Sequence, residues 1–254
     1  MKPFLLLATR VLDDAADGEY EAIRRFGGLT DATLVRIRLE AAPMPHLDLD
    51  DFSGVIVGGS PFTFSDPLQD KSPVQVRVEA ELSTLLDEIV ARDLPFLGAC
   101  YGVGTLGVHQ GAVVDRTYGE EVGAVPVTLT EAGRCDPVFG ELPETFAAFV
   151  GHKEAIRTLP PHAVVLAGSP SCPVQAFRVQ DNLYATQFHP ELDVPGIVAR
   201  VRAYRYSGYF PPAEIEQVVA SVRRAVVDQP PRLLAAFVHR YAREGPSHSS
   251  ASRA

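Results

Sequence analysis

A chain of 254 residues, 46% of them hydrophobic, can bury a core large enough for a sizeable α/β domain, and it holds no 18-residue apolar run that marks a membrane span or secretion signal. A formal net charge of −9, with arginines scattered among acids, leaves no basic stripe for nucleic acid. Three cysteines, an odd number without a CxxC pair, argue against a disulfide framework, so a cytoplasmic protein with neither nucleic acid nor membrane as partner is expected.

From the N-terminus, apolar runs of strand length alternate with helical patterns. "FLLLAT" (4–9), "TLVRIRL" (33–39), "GVIVGG" (54–59) and "PFLGAC" (95–100) read as buried strands bounded by turn residues. Between them, 18–28 and 74–92 carry helical spacing, the second through Val74, Val78, Leu82, Leu85, Leu86, Ile89 and Val90. Residues 61–73 have the length and turn chemistry of a lid, and 101–111 opens as a helix directly after the fourth strand. Strand, helix, strand in repetition implies right-handed crossovers and a doubly wound, mostly parallel sheet flanked by helices, with its site at the carboxyl ends of the strands.

The middle section changes to close-spaced β runs at 123–130, 145–156, 163–169, 174–179 and 183–189, with 180–182 as a hairpin turn. This predicts a small antiparallel extension feeding a last parallel strand. After Pro195 three helical patterns follow, punctuated by prolines, one of them over 213–228. A single domain over 1–243, with a helical extension at 195–243 and a disordered tail at 244–254, is the expected organisation.

Cys100 ends the fourth strand amid Gly98, Ala99, Gly102 and Gly104. A thiol on such a strand-to-helix elbow points out of the crevice, where the helix N-terminus favours an anionic sulfur. A sulfur nucleophile needs a proton shuttle held by a carboxylate, and "ATQFHPEL" supplies His189 and Glu191 at the end of a strand. The third requirement is an oxyanion hole; the amides of Gly59, in the turn "GGSPF", and of Tyr101, directly after the thiol, are the expected pair. No metal is required. Cys135 and Cys172 lie in loop-like settings without a base, His109 and Gln110 read as helix-end residues, and Arg200, Arg202 and Arg205 as a solvated helix face.

Taken together, "VGGSP", "LGACYG", "GHKEAI", "ATQFHPE" and "LLAAFVHRY" resemble the class I glutamine amidotransferases, most closely the glutaminase part of GMP synthetases and its stand-alone relatives. The resemblance implies a flavodoxin-like fold and hydrolysis of the glutamine side-chain amide. Cys100 would form a γ-glutamyl thioester, His189 would carry the proton, Glu191 would orient His189, and ammonia would pass to a synthetase domain or subunit. It further implies substrate contacts at Gly58, Gly104, Gly151 and His152. Two positions depart from the family pattern: Gly104 stands where glutamine is usual, and Gly151-His152 where Ser-His is usual, with Glu154 in place of a common Asp. Glutamine or a γ-glutamyl peptide or conjugate are therefore both open as substrate, as is a non-catalytic regulatory relative. The ATP-pyrophosphatase loop SGGVDS does not occur, and "GVGTLG", although spaced as G-x-G-x-x-G, begins directly after a nucleophile-like cysteine, so no cofactor, ATP or NAD, is expected.

Overall fold

In the computed structural model, which describes residues 1–244, the first apolar runs lie side by side as parallel strands because each connection returns the chain over a sheet face. They are β1 (Phe4–Ala8), β2 (Leu34–Arg38), β3 (Gly54–Val57) and β4 (Phe96–Ala99), with α1 (Asp13–Phe26) after β1, α2 (Pro73–Ala91) before β4 and α3 (Tyr101–His109) after it. Then come β5 (Val113–Asp115), β6 (Glu120–Leu129), α4 (Glu131–Cys135), β7 (Thr145–His152), β8 (Ala155–Thr158), β9 (Ala163–Gly168), β10 (Ala176–Val179) and β11 (Leu183–Thr186). Helices α5 (Val194–Ala203), α6 (Ile215–Arg224) and α7 (Pro230–Tyr241) complete the described elements.

Nine strands form one sheet in the order β2-β1-β3-β4-β11-β10-β9-β6-β7, and β5 pairs with β8 in a separate ribbon. The pairs from β2 to β11 are parallel, and those from β11 to β7 are antiparallel. The mostly parallel half and the antiparallel extension thus meet at β11, as the sequence pattern implies.

Alternation along β1 sends Phe4 and Leu6 to one face and Leu5 and Leu7 to the other, so both faces need cover. On the first, Ile23 of α1 and Leu233, Leu234 and Phe237 of α7 pack on Ile56 and Leu97. On the second, Val78, Leu82, Leu86 and Ile89 of α2 and Val103 and Leu106 of α3 pack on Val55, Val57 and Phe96. A third cluster joins α5 and α6 to Phe149 of β7.

Helix α2 matches its expected span because Ser72 caps it, accepting from the Gln75 amide at 3.1 Å, and Pro73 opens it. Helix α1 begins five residues before the expected 18, at Asp13. Leu12 offers no capping side chain, and Gly18 inside the helix disguises its first turns. The apolar run 145–156 is two strands, split at Lys153 and Glu154, with β7 in the main sheet and β8 in the ribbon. The helix expected over 213–228 is shorter, at Ile215–Arg224, and the tail from 245 onward lies outside the described residues. No described helix is long and apolar enough to cross a membrane.

Candidate active site

One residue separates β4 from α3, and it is Cys100, at φ 54° and ψ −88°. A non-glycine residue held there stores strain of roughly 1–3 kcal/mol, which persists only if the surroundings over-determine it. They do: the Cys100 amide donates to the Thr186 carbonyl at 2.7 Å, and its carbonyl accepts from the Val103 amide at 3.0 Å. The elbow also requires Gly98, because a Cβ there would lie 2.8 Å from the Gly102 backbone. Cys100 is unpaired and half-buried.

Beyond β11 the chain brings in His189, whose amide donates to the Phe149 carbonyl at 3.1 Å. His189 Nδ1 donates to Glu191 Oε1 at 2.8 Å, which leaves Nε2 as the nitrogen available to the sulfur. Cys100 and His189 line the same cavity. Burial by itself would depress the His189 pKa, but attraction to Glu191 and then to Cys100 outweighs it and raises the imidazole to about 9. Burial likewise opposes ionisation of Glu191, yet His189 and Arg200 hold its carboxyl well below the usual carboxylate range.

Behind this pair lies a set of buried charges. Arg200 Nη1 donates to Glu191 Oε1 at 2.9 Å. The same nitrogen is 3.1 Å from His189 Nδ1, but an Nδ1 that donates to Glu191 has no lone pair to accept, so the Glu191 contact is the hydrogen bond. Arg200 Nη2 is 3.8 Å from Glu19 Oε1. Glu19, fully buried, accepts from Arg10 Nε at 2.8 Å, and Arg10 Nη1 donates to the Tyr204 hydroxyl at 3.3 Å. Two guanidinium groups thus face two carboxylates, one of which, Glu191, also holds the His189 imidazole.

The glycine turn differs from its expected role. Gly59 turns its amide away from the cleft and donates to Glu19 Oε1 at 3.0 Å, so it does not point at a reacting carbonyl. Gly58 donates to the Leu7 carbonyl at 3.1 Å, and a Cβ on it would fall 2.3 Å from the Glu19 carboxylate, so it makes room for that acid rather than for substrate. The next residue, Ser60, lines both cavities that meet at Cys100. Among the described residues, neither the Ser60 nor the Tyr101 amide has a protein acceptor.

The second cavity is bounded by Tyr101, Gly104, Thr63, Gln187 and the β7–β8 turn. Over Gly104 sits Phe64 of the 61–72 loop, whose ring would lie 2.6 Å from a Cβ added at 104 and which stacks on Tyr101 at 4.8 Å. Glu154 pins this loop by accepting from the Phe64 and Ser65 amides, each at 2.7 Å. His152 lines the same cavity, but its ring turns away: Nε2 donates to Glu120 Oε2 at 2.7 Å and Nδ1 lies 2.9 Å from the Glu154 carbonyl. Gly151 lies on the wall of the first cavity, not of the second.

One group among the described residues has metal-ligating geometry, with donor atoms of Glu120, His152 and Cys172 within 4.8 Å of one another. The donors are spent on one another and on their neighbours. Glu120 accepts from His152, Gln175 and Ser171, while burial and then Glu120 push the Cys172 thiol up to about 12. That chemistry does not suit a cation.

Sequence reasoning missed Arg10, Glu19, Ser60 and Arg200. For two of them a signal existed. Glu19 falls on the stripe Ala15, Ala16, Glu19, Ile23, and Arg200 on Ile197, Arg200, Val201, Tyr204, each a charge at core spacing on an otherwise apolar helix face. Arg200 is mostly buried, its side chain 11% exposed, not on the solvated face expected of it; Arg202 and Arg205 are exposed.

The profile of the glutamine amidotransferase class-I family matches residues 12–194. The glutamine-hydrolysing GMP synthase subunit of Thermoplasma volcanium is 33% identical over 147 residues, which is 57% of this chain and 65% of that protein. Its counterpart in Picrophilus torridus is 27% identical over 179 residues, covering 69% of this chain and 82% of its own. The aligned region thus spans somewhat less than two thirds of the first relative, and only 20% of the GMP synthase of Thermosipho africanus, at 33% identity over 108 residues. The crystal structure of a glutamine amidotransferase from Thermotoga maritima superposes with a TM-score of 0.71, 22% identity, and coverage of 95% of this chain and 98% of that one. One from Methylobacillus flagellatus gives 0.69 at 19% identity, with 98% of each chain covered. At such identities these two support the fold alone.

Proposed function

Because the chain belongs to the class I glutamine amidotransferases, we propose that it hydrolyses the γ-amide of glutamine through a thioester on Cys100 and hands the ammonia to a synthetase partner. The observation that carries this reading is the strained Cys100 elbow facing a histidine that a buried carboxylate holds in one tautomer.

The geometry supports a short sequence of steps. The Cys100 sulfur attacks the amide carbon while His189, protonated at neutral pH, stands beside it. The oxygen that gains charge is met by the amides of Ser60 and Tyr101, in place of the expected Gly59. His189 Nε2 gives its proton to the departing nitrogen, and ammonia leaves. Water then adds to the thioester as His189 takes a proton from it, and glutamate is released. Throughout, Glu191 fixes the ring, and Arg200 keeps Glu191 ionised.

The test is direct. The chain is incubated with glutamine, and glutamate and ammonia are counted. Equal amounts are expected, and an acid-quenched sample should carry a γ-glutamyl adduct on the peptide that contains Cys100. Glutamate formed with the adduct on any other residue would refute the nucleophile, and no turnover with or without candidate synthetases would refute the activity.

A further inference from the structure

Cys100, Ser60 and Tyr209 line both cavities, which therefore meet at the reacting sulfur. The other walls divide cleanly. His189 lines only the first cavity, and Tyr101, with the amide that follows the nucleophile, lines only the second. In acyl transfer the proton donor to the departing nitrogen must stand on the leaving-group side of the bond that breaks. The first cavity is accordingly the leaving-group side and the second holds the acyl half.

Measured alike, with their mouths included, the first cavity spans about 450 Å³ and the second, which takes a whole glutamyl group, about 380 Å³, so the leaving-group side is no smaller than the acyl side. The side walls of the first are Val122, Val150, Ile197 and Val201, closed by the rings of Tyr204 and Phe210. Four of these six come from residues 197–210, beyond residue 194 where the family match stops. Two cations that line this cavity, Arg10 and Arg200, are already paired with Glu19 and Glu191, so the charge it presents to a ligand is the His189 proton that the leaving nitrogen takes up. A hydrophobic chamber whose arginines are paired, placed beside the general acid, is suited to an apolar group on the departing nitrogen.

We propose that this chamber binds the amine half of the substrate, and that the preferred substrates are γ-glutamyl amides of uncharged apolar or aromatic amines. This rests on the Cys100 nucleophile proposed above and differs from that reading in the leaving group, an organic amine in place of ammonia. In the first step the bond from sulfur to carbonyl carbon forms, the carbon–nitrogen bond breaks, and the His189 proton goes to nitrogen, so a neutral amine is left against the apolar wall. After it departs, water enters the same space and adds to the thioester carbon. The carbon–sulfur bond then breaks, His189 recovers a proton, and glutamate leaves. Water is the sole co-reactant.

The experiment compares kcat/KM of the full chain for glutamine, γ-glutamylglycine and γ-glutamyl-p-nitroanilide. The anilide should exceed glutamine by roughly 10- to 200-fold, the range that added apolar contact supplies in a fitted pocket, and should exceed γ-glutamylglycine, whose leaving group carries a carboxylate. Val201→Trp, and separately Ile197→Trp, fill the chamber and should lower the anilide-to-glutamine ratio at least about tenfold. Because p-nitroaniline is also the better leaving group, the change of this ratio in the variants decides, and should one variant fail to fold the other serves. Glutamine cleaved with the anilide untouched, or a ratio that neither substitution moves, overturns the chamber and leaves the Cys100 reading standing. Cleavage of either substrate that survives Cys100→Ala overturns both.

Discussion

Two regions of this molecule each bring a buried histidine, a glutamate and a cysteine together, and they differ in what the histidine has left to offer. At one, His189 gives Nδ1 to Glu191 at 2.8 Å and keeps Nε2 for a cavity that Cys100 shares. At the other, His152 spends Nε2 on Glu120 at 2.7 Å and Nδ1 on the Glu154 carbonyl at 2.9 Å. The cysteines differ in the same sense. Cys100 sits on a strained elbow at the mouth of two cavities, whereas Cys172 is fully buried, with its thiol directed to the Val174 carbonyl at 3.5 Å. A histidine–carboxylate pair therefore does not identify a reactive centre. On the proposed function, what distinguishes the reactive centre is a ring nitrogen left free beside a displaced, accessible sulfur.

The sharpest way to break this contrast is to exchange the sulfurs one at a time. Cys100→Ala should lower glutamine turnover on the order of 10⁴-fold or more while the protein stays folded. Cys172→Ala should leave turnover within about twofold and cost about 1 kcal/mol of stability through the small void it creates, read by denaturant titration. Next come the histidines. His189→Asn should reduce kcat roughly 10²- to 10⁴-fold, the worth of a positioned proton shuttle, and His152→Asn should instead shift the melting temperature. If both lower kcat alike, the distinction between the two regions fails.

A pH profile probes the charges. His189, raised to about 9, keeps its proton and its ion pair with Glu191 through neutral pH. As pH climbs through about 9 the proton is lost, and with it the pair's contribution to stability and the acid needed by the leaving nitrogen. The basic limb of kcat/KM should therefore fall near pH 9. Glu191→Gln removes the largest raising cause, leaves burial opposed by Cys100 alone, and should move that limb to lower pH. Glu191 itself, held low, loses its contribution only as pH falls through its depressed value.

The smallest difference is the one between supporting partners. Arg200→Gln and Glu120→Gln each break a buried charged contact and should each cost about 3–5 kcal/mol. Only Arg200→Gln should also change the pH profile, because Arg200 touches Glu191 and Glu120 touches nothing at Cys100.

Much of this is legible in the amino-acid sequence. The parallel strands announce themselves because a strand covered on both faces is apolar throughout, and β1, β3 and β4 are uninterrupted runs. The thiol, the imidazole and the carboxylate are legible because their chemistry requires a strand end, and a strand end has a sequence signature in glycine and proline. What escapes is the direction of individual groups. Gly59 looks like an oxyanion donor from its turn, but a buried Glu19 forty positions away claims its amide, and no local pattern reports such a partner. The same holds for the His152 ring, drawn off by Glu120, 32 positions distant. Arg200 escapes for another reason: solvent is the ordinary place for an arginine on a helix, and only its placement at core spacing contradicts that.

The central claim is that one sulfur of the three reacts because its surroundings make it reactive. An electrophilic diazo-ketone analogue of glutamine, followed by peptide mass spectrometry, tests it most directly. The account predicts a single stoichiometric adduct on Cys100, blocked by prior incubation with substrate, with Cys135 and Cys172 unmodified. An adduct on Cys172, or equal labelling of Cys100 and the exposed Cys135, would contradict it.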